Sequence, residues 1–421
     1  MLATTRKTVF ATALAASTPG LGIAQELSPR TGGDQFKSLS DGYWEARSDL
    51  RKAGVDLKLS NTNFYQGLAA GTGDHSFEFG GKFEALATFD LSRFGFWSGF
   101  SLTTKFEHNY GESANGRGGT LLPVNTALAF PGLGNHQGSD LSTFYLTQKF
   151  NDMFSLSVGK FNMIDKVAAT PLRGGGNDTF MNIGLAAPVT GLTPPYIFGA
   201  IATIKTEPAI FTLMAYDPKS AVHRSGFEDP FRTGVTFLGS VTVPVKPFGL
   251  TGYQGFKVIT STKTGADLAD VPQLLLPPEA RGATSTKGNP WFVSYSFQQY
   301  LVQDPNDPGT GWGIFGEIGI SDGNPTPLDW SAYFGVGGTS PLPGRTQDRF
   351  GVGYFRYSLS NDLVAGLLPV VVLRDEQGIE IFYNFAVTNT FKVTADVQII
   401  NPVFGGRNTA IVTGLRTQVL F

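Results

Sequence analysis

Charged residues in this chain recur in pairs of opposite sign two positions apart: Lys82 with Glu84, then Lys105 with Glu107. A spacing of two puts both side chains on one face of a β-strand. The same parity collects Lys149, Glu380, Lys392, Asp396 and Arg416, and places Tyr145 beside Thr143, Thr147 and Lys149. Mixed charges on one face are not a catalytic set. They make a wetted wall whose cations and carboxylates pair with one another and still offer donors and acceptors to a neutral polar solute. A wall of a single sign would gather ions instead. An aromatic ring on such a wall, Tyr145 here, adds a flat apolar surface.

A second group of candidates sits in one long connector, Asn162–Pro195. Its charged residues are Asp165, Lys166, Arg173 and Asp178, and "PLRGGGND" sets Arg173 before three glycines, which let backbone approach closely. Structureless connectors of this length in compact domains are usually functional or disordered.

Other chemistry finds little support. The four histidines, His75, His108, His136 and His223, lack metal-ligand spacing, and no cofactor or metal is expected. Glycine clusters fall in turns rather than between a strand and a helix, so no phosphate loop is read. His108 and Ser142 belong to neighbouring strands, but His108 has the apolar parity, so no hydrolase set forms. "DPNDPG" near Asp304 reads as a Pro-rich turn. With a net charge of -2 the chain has no basic footprint for nucleic acid.

The elements that must carry these residues are strands. From Phe77, one parity holds Phe77, Phe79, Phe83, Ala85, Ala87 and Phe89, and the other Glu78, Lys82, Glu84, Thr88 and Asp90. Phe100–Tyr110, Gly378–Phe385 and Phe391–Ile400 alternate in the same way. Sixteen such segments start near Val55, Phe77, Phe100, Ser142, Phe154, Tyr196, Ala209, Gly234, Leu250, Pro290, Trp312, Leu328, Asp348, Ile379, Phe391 and Thr409. Short joints (Leu91–Phe96, Asn151–Asp152, Glu207–Pro208, Pro244–Gly249, Val387–Asn389) alternate with long ones (Gly111–Asp140, Asn162–Pro195, Asp217–Arg232, Thr264–Asn289). "SDGNPTP" and "GGTSPLPGRTQ" reverse that order once.

The bulk numbers fit. Mean hydropathy is -0.03 and charged residues are 16%, against about 25% in average proteins. No cysteine is present, as suits an oxidising compartment. Residues 1–24 read as a secretory signal peptide cleaved after Ala24, residues 25–54 as a segment with a short helix, and residues 55–421 as the strand domain. The apolar run "LVAGLLPVVVL", Leu363–Leu373, is too short to cross a bilayer as a helix and is interrupted by Pro369. The only other route across is a closed barrel. The expected fold is all-β: a 16-stranded antiparallel transmembrane β-barrel with a short N-terminal helix, apolar toward lipid and polar toward an aqueous lumen. A secreted soluble β-protein and a structural or adhesive barrel with a blocked lumen are the alternatives.

"GEIGISDGNPTPLDWSAYFGVGGTSPLPGRTQDRFGVGYF" and "LRDEQGIEIFYNFAVTNTFKVTADVQIINPVFGGRNTAIVTGLRTQVLF" resemble the OprB-type carbohydrate-selective porins in order and spacing. The N-terminal match is looser: Trp44 and Arg47 agree, while Glu45 and Ala46 stand where the family has paired glycines. The resemblance implies an outer-membrane barrel of a Gram-negative bacterium that passes carbohydrate solutes by diffusion and is surrounded by outer-membrane lipids. In porins generally the third outer loop folds into the lumen, and by count Asn162–Pro195 is that loop. Arg173, Asp178, Asp165 and Lys166 are therefore the expected constriction residues. Lys82, Glu84, Lys105, Glu107, Tyr145, Lys149, Glu380, Lys392, Asp396 and Arg416 are the expected pore lining. Asp396 and Arg416 are expected to be neighbours on adjacent strands. "AIVTGLRTQVLF" reads as the closing strand, with Phe421 as a girdle residue addressed to the outer-membrane assembly machinery. Whether three barrels associate as a homotrimer stays open.

Overall fold

The computed structural model describes residues 41–132, 138–168, 170–174, 177–274 and 276–421. The expected signal peptide lies outside them. Sixteen antiparallel strands close into one barrel in which sequence neighbours are sheet neighbours. They are β1 Val55–Ala70, β2 Phe77–Asp90, β3 Phe100–Gly111, β4 Gly138–Lys149, β5 Phe154–Asn162, β6 Tyr196–Lys205, β7 Ile210–Tyr216 and β8 Thr236–Val245. Then come β9 Gly252–Ser261, β10 Trp291–Gln303, β11 Gly311–Ser321, β12 Leu328–Thr339, β13 Arg349–Leu359, β14 Glu376–Ala386, β15 Phe391–Asn401 and β16 Ala410–Leu420.

Closure runs through β1 and β16, with Ser60 opposite Leu420 and Leu68 opposite Val412. The Phe421 N–H donates to the Leu59 carbonyl at 3.0 Å, so the last residue is held in the seam. Closure leaves no unpaired edge, as backbone in lipid requires.

Alternation decides which face meets lipid. On β7, Phe211 and Leu213 are exposed while Thr212 between them is buried. On β2, Phe79 is exposed while Lys82 and Glu84 are buried. The strands therefore turn carbon outward and polar groups inward.

Short connections gather at the end that holds both the start of β1 and the end of β16, which is the periplasmic end of such barrels. The helix Asp41–Lys52 leads into β1 there, as expected. Gly54 follows it at φ 94°, a conformation that favours glycine, and its carbonyl accepts the Asp90 N–H at 2.7 Å. The long connections lie at the outer end. The reversed pair is present too: the outer joint 322–327 is short and the periplasmic joint 340–348 is longer.

One expectation needs correction. The inward face is not polar throughout. Phe315, Tyr333, Phe355 and Phe382 belong to a buried interior cluster with Phe180, Ile183 and Leu185 of the third outer loop. The loop folds inward and covers them, so the wall beneath it is apolar. Tyr300, near the end of β10, also turns away from lipid. It is buried in the same cluster, next to a β-bulge at Tyr300/Val302 that shifts the register before β10 and β11 pair on to Gln303. Trp312 remains at its strand end, edge-on to Phe350.

Candidate functional site: the in-folded loop and the lumen wall

The third outer loop, residues 163–195, has two short helices with asparagine caps. The Asn162 side chain accepts from Ile164 N–H at 3.0 Å before the helix Met163–Ala168. The Asn182 side chain accepts from Gly184 N–H at 2.9 Å before the helix Ile183–Ala186. The loop is then fastened to strands on every side of the barrel. Leu172 N–H donates to Gln298 of β10 at 3.2 Å, and Arg349 of β13 donates to the Pro171 carbonyl at 2.7 Å. Glu380 of β14 accepts from Asn182 N–H at 3.0 Å and also from Met181 N–H. Arg416 of β16 donates to the Thr179 carbonyl at 2.9 Å, and Asn177 reaches Glu84 of β2. A segment tied to β2, β10, β13, β14 and β16 crosses the lumen.

Two charged clusters hold the loop to the wall on either side of β1. At β2 and β3, Lys82 lies 2.8 Å from Glu107, while Lys105 lies 2.6 Å from Glu84, 3.0 Å from Glu107 and 2.9 Å from the loop's Asp165. Tyr196 donates its hydroxyl to Glu107 at 2.6 Å. Glu84, Glu107 and Asp165 have oxygens close enough to hold a cation, but the Lys105 ammonium is within 3.0 Å of all three and takes that role itself.

Farther round the same side of the barrel, beyond β1, Lys392 of β15 lies 3.2 Å from Asp178 of the loop. Burial raises the Asp178 carboxyl, but Lys392, Arg349 and Arg416 outweigh it and hold it below the usual carboxylate range. Asp396 and Arg416 both point inward and are buried. Their register is offset by one inward position: Asp396 faces Gly414, and Arg416 faces Thr394, whose hydroxyl accepts from its guanidinium at 3.2 Å.

The remaining candidates fall elsewhere. Arg173 is 3% exposed, and its guanidinium donates to the loop's own carbonyls, Ala186 at 2.6 Å and also Leu185 and Val167. Tyr145 stacks on Phe161 at 4.6 Å, with the Lys166 ammonium 4.8 Å from its ring centre. Lys149 sits at the periplasmic end of β4, 2.7 Å from Asp152. His108 contacts Ser139 rather than Ser142.

Sequence reasoning passed over several polar groups. Lys257 and Glu317, on β9 and β11, pair at 2.7 Å, and Arg349 braces the loop. More extensive is a series of inward hydroxyls. In the sheet register Ser155, Thr203, Thr212 and Ser240 stand opposite one another across β5 to β8, and the row continues through Lys257 to Ser294. A shorter row joins Ser101, Thr147 and Ser157, with Thr147 and Ser157 hydrogen-bonded at 2.8 Å. The inward parity contained these residues all along; charge drew attention away from them.

A closed sixteen-stranded barrel, apolar outside and polar within, narrowed by an in-folded loop, is an outer-membrane diffusion porin. Residues 74–421 match the family model described as carbohydrate-selective porin, OprB family. The chain belongs to that family and is a carbohydrate-selective porin of a Gram-negative outer membrane. The high-pH structure of Pseudomonas putida OprB superposes with a TM-score of 0.76 at 19% identity, covering 90% of this chain and 97% of that one. Its low-pH structure gives a TM-score of 0.54 at 17% identity, covering 93% and 100%. No curated protein matches the chain in sequence.

Proposed function

We propose that sugars cross this barrel by exchanging hydrogen bonds along the hydroxyl rows of β3 to β8, beside a constriction formed by the in-folded loop. The observation that carries this reading is the uninterrupted row Ser155, Thr203, Thr212 and Ser240. Neutral donors and acceptors at successive strands suit a polyhydroxylated solute that sheds part of its hydration shell and must find replacements. The charged residues act differently. Lys82, Glu84, Lys105, Glu107 and Asp165 form one charged patch of the constriction; Asp178, Lys392 and Arg416, with Glu380 and Asp396, form a second patch on the other side of β1. Each patch mixes cations with carboxylates, three carboxylates to two cations, so the path stays wetted and carries no large single-sign charge. Arg173 shapes the loop from within, and Lys166 with Tyr145 forms a platform at its near end.

Outer-membrane lipids cover the outward face. Phe421, 39% exposed, is the residue offered to the assembly machinery. Cross-linking in native membranes reads whether copies associate as a homotrimer.

Liposome swelling with mono- and disaccharides tests the path. The double variant Thr203→Val, Ser240→Ala removes two part-exposed hydroxyls of the row with little change in volume. At about 0.5–1.5 kcal/mol per hydrogen bond, sugar influx falls several-fold while KCl conductance stays near wild type. Unchanged sugar influx in that variant refutes the path.

A further inference from the structure

At the outer end, between the wall at β13 and β14 and the loops above it, lies a cavity of about 480 Å³. Its walls come from Leu122 of the second outer loop, Leu328 and Leu359 of the barrel, and Leu363, Leu367 and Val371 of the segment between β13 and β14. Two lining residues carry polar side chains, and both are spent on the protein. The Tyr357 hydroxyl accepts from Val189 N–H at 3.2 Å and donates to the Gly184 carbonyl at 3.1 Å. The Glu376 carboxylate accepts from the N–H groups of Leu121 at 2.8 Å, Leu122 at 2.8 Å and Val403 at 3.0 Å. Whatever enters meets carbon. A sugar would lose its hydration there and gain nothing.

The apolar run Leu363–Leu373, which no membrane helix explains, builds this feature from both sides. Its helical part, within Asn361–Leu367, and Val371 and Leu373 line the cavity. Leu368, Val370 and Val372 are turned to the outside, with Val370 70% exposed. At the rim, Leu121 and Phe404 belong to the cavity wall yet remain exposed. An apolar exterior, an apolar rim and an apolar interior are continuous.

We propose that this cavity is a binding site for an uncharged hydrocarbon group, aryl or alkyl, distinct from the sugar path. Its volume is roughly three times that of the engineered apolar cavity of about 150 Å³ that takes up benzene, and it lies in the range of small-ligand sites. A two-ring aryl compound or an alkyl chain of about ten carbons matches that space. The group has two sources, a free hydrophobic compound or an acyl chain of a surrounding lipid, and the chemistry of recognition is the same.

The test uses the full chain in lipid nanodiscs, with N-phenyl-1-naphthylamine as a neutral fluorescent probe and protein-free nanodiscs as the blank. The variants are Leu367→Phe, which fills the cavity without polarity, and Leu363→Gln, which makes it polar. Sugar influx in liposomes, expected at the wild-type rate for both, verifies that the barrel is intact. Saturable binding above the blank, weakened roughly tenfold in both variants, supports the site with a free compound as ligand. One lipid per chain retained in native mass spectrometry, and lost from both variants, supports it with an acyl chain as ligand. If wild type gives neither signal, or both variants keep the wild-type signal, the proposal is overturned.

Discussion

Asp165 and Lys105 meet at 2.9 Å, the first on the in-folded loop and the second on the wall strand β3. The contact joins the element that narrows the lumen to the element that bounds it. Lys105 also serves Glu84 and Glu107, so one ammonium holds three carboxylates. Lys105→Met leaves Lys82 alone against all three. The expected result is a reversal potential shifted toward cation selectivity in a KCl gradient. Removing one partner from a buried ion cluster also costs about 3–5 kcal/mol, read as a lower unfolding midpoint. An unchanged reversal potential would mean that the cluster does not face the permeation path.

Glu380 holds the far side of the loop by accepting two consecutive backbone N–H groups, Met181 and Asn182. Glu380→Gln keeps the shape but turns one oxygen into an NH₂ group facing a backbone donor. The mismatch costs about 1–3 kcal/mol at a buried site. The loop then detaches part of the time, and single-channel recordings show larger, noisier conductance. Quiet openings of wild-type size would show that Glu380 does not anchor the loop.

The strands, their order and the long-loop parity were legible because alternation is a local property of the chain. Phe211, Thr212 and Leu213 carry their orientation in their own types. The covered wall was not legible. Nothing near Phe315, Phe355 or Phe382 in sequence says that Phe180 and Leu185, far away in the chain, will lie on them. Charge pairs on one strand, such as Lys105 with Glu107, were visible, but Asp165 as their third partner depends on where a loop folds. Arg173 shows the same limit. Three following glycines suggested close approach, and the approach is to the loop's own carbonyls.

Arg173 gives a further prediction. Its guanidinium uses a planar fork to gather carbonyls from both short helices of the loop. Arg173→Lys keeps the charge and loses the fork. If the fork shapes the loop, the variant discriminates poorly between mono- and disaccharides in liposome swelling. If charge alone matters, Lys restores wild-type discrimination and only Arg173→Ala loses it.

Acid sensitivity is expected at the periplasmic joint 340–348. Asp348 is buried; burial raises its carboxyl, but Arg345, the Tyr383 hydroxyl and the Ala386 N–H outweigh that and hold it below its usual 3.8. A carboxyl lowered by folding stabilises the protein above the ordinary value and loses that contribution as pH falls through the folded value. Asp348→Asn therefore lowers the unfolding midpoint at pH 7, and the gap between variant and wild type closes below about pH 3.8. A gap that is constant with pH would exclude this ion pair as the cause.

Among the polar groups on the outward face is a cluster that lipid cannot satisfy. Asn61 and Asn63 share the outward parity of β1, and the Tyr110 hydroxyl from β3 lies 3.0 Å and 2.6 Å from their side-chain oxygens. The ring reaches them over Gly81, where a Cβ would fall 2.2 Å from it, so the intervening strand must carry glycine at that position. Tyr110→Phe keeps the ring over Gly81 and removes only the hydroxyl. The pair of carboxamide oxygens then loses the single O–H they share, at a cost of about 1–3 kcal/mol. The expected result is a lower midpoint for urea unfolding from lipid vesicles, with sugar influx unchanged because the lumen is untouched. Gly81→Val, by contrast, displaces the ring itself and should lower the midpoint further. Equal midpoints for wild type and Tyr110→Phe would show that other groups satisfy both asparagines at the membrane surface.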